Sequence, residues 1–575
     1  MKENLEALES LRNDLRRQLD QLGDFRRGTI SVNYRKCGKA NCACAQPNHP
    51  GHGPQYLWNS TVGGKSVAQN LRLGPELEKV RREVENYQAF LRLTKELVGV
   101  NEKICRLLPV EEIEEERELD ELKKKLPKVV LQEAEQEIKQ VVGRILGDYR
   151  RGGRLDLEAS ETAVRAVMHK VGGSLLEKLL NAELGYRGAK VDCSKGHHAK
   201  FIQYRSKQLV TVLSDVSIER AYYYCAKCGS GVIPKDEELD ITGTSFSPGV
   251  RRMMGRVGGK EPFDEGRRDL EELAGIAVKT KEVERTSEAI GDRIERLSGQ
   301  ERELIKSGKV MPMGGATIPI LYVAMDATSV PVVPREVEGR RGKGEDGKAK
   351  SRESKLGCVF TQTTEDEKGR PVRDADSTSY VGAIETASEF GWRIYAEALR
   401  RGLARALRVV VLGDGAPWIW ALAALHFPGA IQIVDLFHAL EHLSKLAKLL
   451  YGQGSKKAKR MTEMWSAKLK EGDVESVITS LKRLRPLEVT ASDAVAREIA
   501  YFLTNAERMR YGDFRRAGLF VGSGVVEAGC KTVVGHRLKQ SGMHWTVRGA
   551  NSIIWLRCCQ MSGRWEEYWE ASAIA

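Results

Sequence analysis

The chain has 575 residues and a net charge of +13, from 92 lysines and arginines against 79 aspartates and glutamates. This length exceeds what one hydrophobic core supports, so several domains are expected. The positive balance favours a polyanionic partner, nucleic acid before membrane, and no apolar run is long enough to span a bilayer. The charged, helix-like start predicts no secretory signal and hence a cytoplasmic protein whose cysteines are mostly reduced.

The predicted elements divide the chain into seven regions. The first joins two helices through a segment rich in Cys, Gly and Pro, and the second is helical. The third has short strands between two Cys/His groups, and the fourth has two helices joined by a turn. From there the pattern is α/β, with an all-helical interruption before a last helical part. The predicted boundaries are 1–110, 111–188, 189–240, 241–300, 310–440, 441–516 and 517–575.

A first group of possible metal ligands lies in the N-terminal region. It comprises Cys37, Cys42, Cys44, His49 and His52. The spacing fits no standard zinc finger, so a zinc site and a metal-free turn both stay open. Basic residues surround the group, which favours a small accessory module for DNA ends or for dimerisation.

A second group has the pattern of a zinc ribbon. Cys225 and Cys228 form a Cys-x-x-Cys pair, and Cys193 precedes them with two adjacent histidines, His197 and His198. Strand-like stretches separate the two halves, as a structural tetrahedral zinc site requires. We predict Cys193, His197, Cys225 and Cys228 as ligands of Zn²⁺, with His198 as the alternative to His197.

Residues 264–291 read as a helix-turn-helix. Gly275 permits the tight turn, and the second helix begins at about Thr280. If this helix enters a DNA groove, Lys281 and Arg285 are its predicted DNA contacts. A generic helical hairpin is the alternative.

Three acidic residues form the candidate catalytic set. Asp326 and Asp414 each end an apolar run that reads as a buried strand, and Glu527 lies in the first turn of a helix. The carboxyl ends of parallel strands line a ligand crevice, and carboxylates hold Mg²⁺, which can activate phosphodiester chemistry. The alternative is that such acids are ordinary turn or cap residues.

Five segments carry a family resemblance, and they occur in the order YVAMDATSVPV, KLGCVFTQ, VVVLGDGAPWIW, IVDLFHALEHL and GSGVVEAGCKTVVGHRLKQSGMHWTVRGA. They resemble the ISKra group of bacterial insertion-sequence transposases, which is related more distantly to Mutator-type transposases. The resemblance implies a multidomain α/β protein with an RNase H-like catalytic core that contains an all-helical insertion. Helical, zinc-ribbon and helix-turn-helix modules precede this core. Asp326, Asp414 and Glu527 would be the catalytic acids of a DDE site and would bind Mg²⁺ or Mn²⁺.

The same motifs suggest residues around the acids. Asp435 and His438 match an acid-x-x-His motif of this class. His438 either contacts DNA or the catalytic acids or is a structural histidine bonded to Asp435, and we favour a structural or supporting role. Trp545 is either a base-stacking residue or part of the core. Cations near the predicted metal site would bind the DNA backbone; they are Lys531, Arg537 and Lys539.

The expected activity is metal-dependent cleavage at the ends of an insertion sequence, followed by strand transfer into target DNA. The partners would be double-stranded DNA and at least one further copy of the chain, in the bacterial cytoplasm at the nucleoid. Two alternatives stay open: a non-catalytic DNA-binding regulator derived from a transposase, and a metal-dependent nuclease.

Overall fold

In a computed structural model, the described residues are 5–62, 65–107, 114–152, 154–309, 315–342, 347–484 and 492–574. The chain forms two compact units, residues 1–125 and residues 126–575. The boundary predicted at 110/111 lies outside the described residues.

The N-terminal unit combines long helices with a three-stranded antiparallel sheet in the order β1-β2-β3. Leucines at helical spacing pack the first helix on the second, as Leu8 and Leu15 do against Leu93. The two helices predicted on either side of the segment rich in Cys, Gly and Pro are therefore present. The elements are α1 (Leu5–Asp20), β1 (Thr29–Arg35), β2 (His52–Val62), β3 (Lys65–Leu71) and α2 (Pro75–Leu107).

The second unit includes most of a long helix and then a four-stranded antiparallel sheet in the order β4-β5-β6-β7. A second helix precedes the sheet and ends at Asn181. The side-chain amide of Asn181 donates to the Ser217 carbonyl at 2.8 Å, which holds this helix on the sheet. The elements are α3 (Glu114–Gly152), α4 (Leu157–Asn181), β4 (Lys190–Asp192), β5 (His198–Val210), β6 (Asp215–Cys225) and β7 (Ser230–Val232).

The predicted helix-turn-helix is present as two helices of unequal length. Gly275 ends the first with a left-handed φ of 69°, and Leu270, Ile276 and Val283 form a buried core. The second helix runs well past the predicted end at residue 291, and Ile294 in the added part packs against the C-terminal core. The elements are α5 (Pro234–Glu238), α6 (Pro248–Lys260), α7 (Phe263–Ala274) and α8 (Thr280–Lys306).

A five-stranded mixed sheet forms the centre of the second unit, in the order β12-β9-β8-β13-β14. The first three strands in the chain pair antiparallel, and the last two run parallel to β8 and to each other. The sheet residues are buried on both faces, which explains the continuous apolar runs in the sequence. The elements are β8 (Ile318–Pro331), β9 (Ser351–Gln362), β10 (Thr364–Glu365), β11 (Pro371–Val372), β12 (Ser379–Ala383), α9 (Ala387–Arg400), β13 (Ala406–Gly413), α10 (Pro417–His426) and β14 (Ile431–Val434).

One strand differs from its prediction. Asp326 was predicted to end a strand, but β8 continues to Pro331. The extension exists because β9 keeps pairing with β8 as far as Pro331 and Ser351. Only the parallel partner β13 stops early, at Gly413, so Asp326 lies where the parallel pairing ends rather than where the strand ends.

Helices interrupt and then complete this core. The helical segment that follows β14 starts at Leu436, and its Trp465 and Phe502 are buried in the same core as the sheet. No helix of the described chain is both long enough and apolar enough to cross a membrane. The elements are α11 (Leu436–Tyr451), α12 (Lys456–Glu471), α13 (Val474–Lys482), α14 (Ser492–Asn505), α15 (Tyr511–Arg516), α16 (Gly524–Gly529), α17 (His536–Leu538), α18 (Val547–Met561) and α19 (Trp565–Ile574).

Candidate active site and metal centre

Strand register brings two of the predicted acids side by side. The ladder between β8 and β13 ends with Ala324 opposite Leu412, and two residues further along each strand are Asp326 and Asp414. On the other side of β13, Gly413 pairs with Val434 of β14. The next residue on each chain segment is an acid, Asp414 after β13 and Asp435 after β14. Neighbouring strands lie about 4.8 Å apart. Three carboxylates therefore meet at one edge of the parallel part of the sheet.

Asp326 has the most perturbed environment of the predicted catalytic acids. Burial raises the pKa of its carboxyl group, and the nearby Asp414 raises it further. The Ala327 N–H, which donates to Asp326 Oδ1 at 2.6 Å, and the Cys530 thiol partly offset this shift. A cation between Asp326 and Asp414 would remove the repulsion that disfavours their simultaneous ionisation.

Glu527 projects from the first turn of α16, as predicted. Its side chain is 46% exposed and accepts from Lys531 Nζ at 2.6 Å, one helical turn further on. Asp326 and Glu527 line one open cavity of about 420 Å³. The other lining residues are mostly polar or cationic, and they are Thr328, Cys530, Lys531, Gly535, His536 and Lys539.

The acids are not gathered as tightly as the ligands of a filled metal site. Within the described ranges, two groups of three or more His, Cys, Asp or Glu side chains have ligand atoms that all lie within 4.8 Å of one another, and both are Cys/His clusters. Asp326, Asp414 and Glu527 do not form such a group. Glu527 would have to leave Lys531 and turn toward the sheet to share an ion with the aspartates.

Asp435 anchors the segment that carries Glu527. Its buried carboxylate accepts from the backbone N–H of Ser523, just before α16, and from the His438 N–H at 2.8 Å. Burial raises the pKa of Asp435, but these bonds and the His438 ring lower it more, so the carboxylate stays charged. These bonds tie the helix that carries Glu527 to the end of β14.

His438 lies beside this carboxylate. Its Nδ1 is 3.2 Å from Asp435 Oδ1, and the hydrogen bond to Asp435 raises the pKa of the imidazole to about 9, with Asp414 adding to the shift. The ring is therefore protonated at neutral pH and donates to Asp435. Its positive charge offsets part of the negative potential at the sheet edge.

The helical insertion also contacts this edge. The Tyr501 hydroxyl of α14 donates to the backbone carbonyl of Asp414 at 2.8 Å, and its ring stacks on His442 with centroids 3.9 Å apart. Gly415 follows Asp414 with a φ of 101°, and a Cβ there would lie 2.4 Å from the Tyr501 ring. Only glycine therefore allows the insertion to pack against the turn that carries Asp414.

The structure buries two of the predicted DNA contacts, which corrects the prediction for Arg537 and favours the core alternative for Trp545. Arg537 is completely buried, where it donates to the Gly258 carbonyl at 2.9 Å and lies over the Phe263 ring at 4.4 Å. Trp545 is 8% exposed, and its indole N–H donates to the Leu538 carbonyl at 3.1 Å. Arg537 therefore joins α17 to α6, and Trp545 joins the segment before α18 to the end of α17.

The other predicted DNA contacts are on the surface. Lys531 and Lys539 are exposed and line the cavity with Asp326 and Glu527, and Lys539 bonds to the Thr328 hydroxyl. Lys281 and Arg285 are exposed on the first turns of α8. Lys281 pairs with Glu284 at 2.6 Å, so it is available to a phosphate only by exchanging this partner.

The predicted ribbon ligands meet at one point. The ligand atoms of Cys193, His197, Cys225 and Cys228 all lie within 4.8 Å of one another, with His197 Nδ1 3.0 Å from the Cys228 sulfur. His198 is mostly exposed and its Nδ1 pairs with Asp192 at 2.8 Å. These four residues could hold a structural metal such as zinc, and the histidine in the cluster is His197 rather than His198.

Several residues of the site had not been predicted. Tyr501 lies in a helical insertion whose sequence shows only helical periodicity, so no signal pointed to it. His442 is one turn after His438 in the segment IVDLFHALEHL, where the same-face spacing was a usable signal. Cys530, whose thiol bonds to Asp326, lies three residues after Glu527 but had not been singled out.

Comparisons with known proteins add little to this geometry. Residues 5–82 match a family model described as a domain of unknown function (DUF6788). No curated protein matches the chain. A solved chain in a structure titled "Drosophila P element transposase strand transfer complex" is similar over 55% of this chain and 80% of its own length, with 9% identity and a TM-score of 0.20. A likeness this weak carries no argument about fold or function.

Proposed function

We propose that this protein is a DDE transposase with an RNase H-like core, similar to the ISKra group, which cleaves and joins DNA with divalent metal ions. The observation that carries the proposal is the meeting of Asp326 and Asp414 on adjacent parallel strands, beside a cavity that Glu527 also lines. The mixed sheet with its helical insertion, placed before α16, supports the proposed core.

The donor set suits Mg²⁺ or Mn²⁺, since Asp326, Asp414 and Glu527 offer only carboxylate oxygens. A bound ion would supply an activated water and would offset charge on the scissile phosphate. Lys531 and Lys539 border the cavity and would bind the neighbouring backbone phosphates.

The proposed reaction has two balanced steps. In the first, water replaces the 3′ oxygen at a phosphodiester of the element end, which leaves a free 3′-OH. In the second, this 3′-OH replaces a 3′ oxygen at a target phosphate, so one P–O bond forms as another breaks. Holding two ends together would require at least two copies of the chain. Lys281 and Arg285 on α8 are the proposed contacts to the element ends.

The test uses duplex DNA from both flanks of the gene, incubated with the full-length protein and Mg²⁺. Asp326→Asn, Asp414→Asn and Glu527→Gln should each lower cleavage by at least about 10²- to 10³-fold, because each removes an anionic ligand with little change of shape. Asp513→Asn, on the surface of α15, is the matched control and should cleave normally.

Each alternative has its own outcome. DNA binding without cleavage by the wild type would favour the regulator, and cleavage without joined products would favour the nuclease. Full cleavage by Asp414→Asn would show that the acids at the sheet edge are not the catalytic ones.

A further inference from the structure

The N-terminal unit contains a Cys/His cluster that the proposed function does not use. The ligand atoms of Cys37, Cys42, Cys44 and His52 all lie within 4.8 Å of one another. Three sulfurs and one imidazole form a Cys₃His set, which is a common ligand set of structural zinc. The sequence spacing had left the metal open, because it fits no standard finger.

The distances within the cluster match a metal site rather than a disulfide. Cys37 Sγ lies 3.5 Å from Cys44 Sγ, and Cys42 Sγ lies 2.9 Å from His52 Nε2. Sulfurs bonded to one tetrahedral zinc lie about 3.8 Å apart, given Zn–S bonds of about 2.3 Å, whereas a disulfide bond is about 2.05 Å long. The Cys37 N–H also donates to Cys44 Sγ at 3.4 Å, which holds these two residues together.

His49 is not part of the cluster, although the sequence grouped it with the others. Its Nδ1 accepts the Gly51 N–H at 3.1 Å, which shapes the chain just before β2. Gly51 itself has a φ of 111°, and a Cβ there would lie 2.9 Å from the Arg35 backbone. This close approach brings the start of β2 next to the end of β1, and so brings His52 near Cys37.

The loop that carries the cluster has no apolar core of its own. Sixteen residues, 36–51, separate β1 from β2, and their only element is a three-residue 3₁₀ turn at Ala43–Ala45. Cys44 and Gly51 are the only buried residues of this loop. A loop of this length without packing or secondary structure is uncommon, and a metal that joins its two ends and its middle would supply the missing constraint.

We propose that Cys37, Cys42, Cys44 and His52 bind a second structural zinc ion, which holds the loop between β1 and β2 on the N-terminal sheet. Cys37 and His52 fix the two ends of the loop, and Cys42 and Cys44 fix the 3₁₀ turn between them. This site is independent of the ribbon, whose ligands lie more than 140 residues further along the chain. The full-length protein should therefore carry two zinc ions.

The experiment measures zinc per chain in the full-length protein, by elemental analysis and by mass spectrometry under non-denaturing conditions. The wild type should hold two zinc ions. Cys42→Ser and Cys228→Ser should each hold one, and the double variant none. Cys105→Ser, an exposed cysteine outside both clusters, is the matched control and should hold two.

A second readout uses Cys228→Ser, which keeps only the N-terminal site. Adding a zinc chelator to this variant should accelerate tryptic cleavage after Lys36 and Lys39, and added zinc should reverse the effect. One zinc in the wild type that is lost in Cys228→Ser but kept in Cys42→Ser would overturn the proposal and leave the ribbon intact. A Cys37–Cys44 disulfide in the freshly purified wild type would overturn it as well.

Discussion

The ribbon cluster and the acidic sheet edge are two candidate metal sites that differ in how closely their ligand atoms lie together. In the ribbon, four ligand atoms lie within 4.8 Å of one another without help from an ion. At the sheet edge, Asp326 and Asp414 are neighbours, but Glu527 pairs with Lys531 instead of joining them. Thiols and an imidazole can be neutral and can lie together, whereas ionised carboxylates repel one another.

This difference fits the separate roles that we propose. A structural zinc site is closed, with four protein ligands around the metal, so its ligand atoms all lie close together in the folded chain. A catalytic site must admit substrate and release product, so it keeps open positions and completes its ligand set with metal and DNA. In the proposed mechanism, a cation would replace Lys531 as the partner of Glu527, and a phosphate would replace Glu527 as the partner of Lys531.

Glu397 differs from the acids of the sheet edge because it is buried beside arginines. Glu397 is 1% exposed and is surrounded by Arg564, Arg400 and the Ser379 hydroxyl. Burial raises the pKa of this carboxyl group, but the two arginines lower it more, so it is charged without any metal. Glu397→Gln should lower the free energy of unfolding by about 3 kcal/mol, because it removes the carboxylate that pairs with the largely buried Arg564, whereas Arg400 keeps Glu301 as a partner.

Denaturant unfolding at neutral pH measures this effect. Glu303→Gln is the control, since Glu303 is exposed and pairs only with Lys306 on the same helix. The control should change stability by less than about 0.5 kcal/mol. An equal effect of the two substitutions would contradict the distinction between buried and exposed carboxylates.

The adjacent residues His197 and His198 allow a test of which histidine is a zinc ligand of the ribbon. His197→Ala should lower zinc affinity by at least about 100-fold, because it removes a ligand, and the neighbouring strands should lose protection from amide exchange. His198→Ala removes only an exposed side chain paired with Asp192, so zinc affinity should stay within about threefold of the wild type. Competition with a chromogenic chelator gives both values. Greater zinc loss from His198→Ala would reverse the ligand assignment.

A smaller effect is expected where the insertion meets the sheet edge. Tyr501→Phe removes the bond to the Asp414 carbonyl and should cost about 1 kcal/mol of unfolding free energy. Tyr511→Phe is a matched control, because the buried Tyr511 hydroxyl has no hydrogen-bond partner in the part of the chain that the structure describes. This control should be neutral or slightly stabilising. If both variants lose the same stability, the Tyr501 bond is not the cause.

The sequence predicted the parts that local pattern determines. Apolar runs predicted β8 and β13, and the Cys-x-x-Cys pair predicted the ribbon ligands. It failed where a polar group is satisfied by distant backbone, as Arg537 is by the Gly258 carbonyl. In the sequence, a cation next to predicted catalytic acids suggests a phosphate contact. The packing of α6 against the C-terminal helices shows instead that this arginine is buried.

The acidic edge was predictable in its members but not in its geometry. Apolar runs placed Asp326 and Asp414 near strand ends, but register alone decides that they are neighbours. The contact of Tyr501 with Asp414 joins residues 87 positions apart, and helical periodicity carries no information about such pairs.

Divalent-ion binding tests the central claim most directly, because it requires no knowledge of the DNA substrate. The measurement is Mn²⁺ binding to zinc-loaded full-length protein by electron paramagnetic resonance, for the wild type, Asp326→Asn, Asp414→Asn and the Asp513→Asn control. We expect the wild type and the control to bind Mn²⁺ equally, and each catalytic-acid variant to bind at least about tenfold more weakly, since an anionic oxygen ligand is lost. Undiminished binding by Asp414→Asn, or no binding by the wild type with or without duplex DNA, would contradict the assignment of a catalytic metal site to this sheet edge.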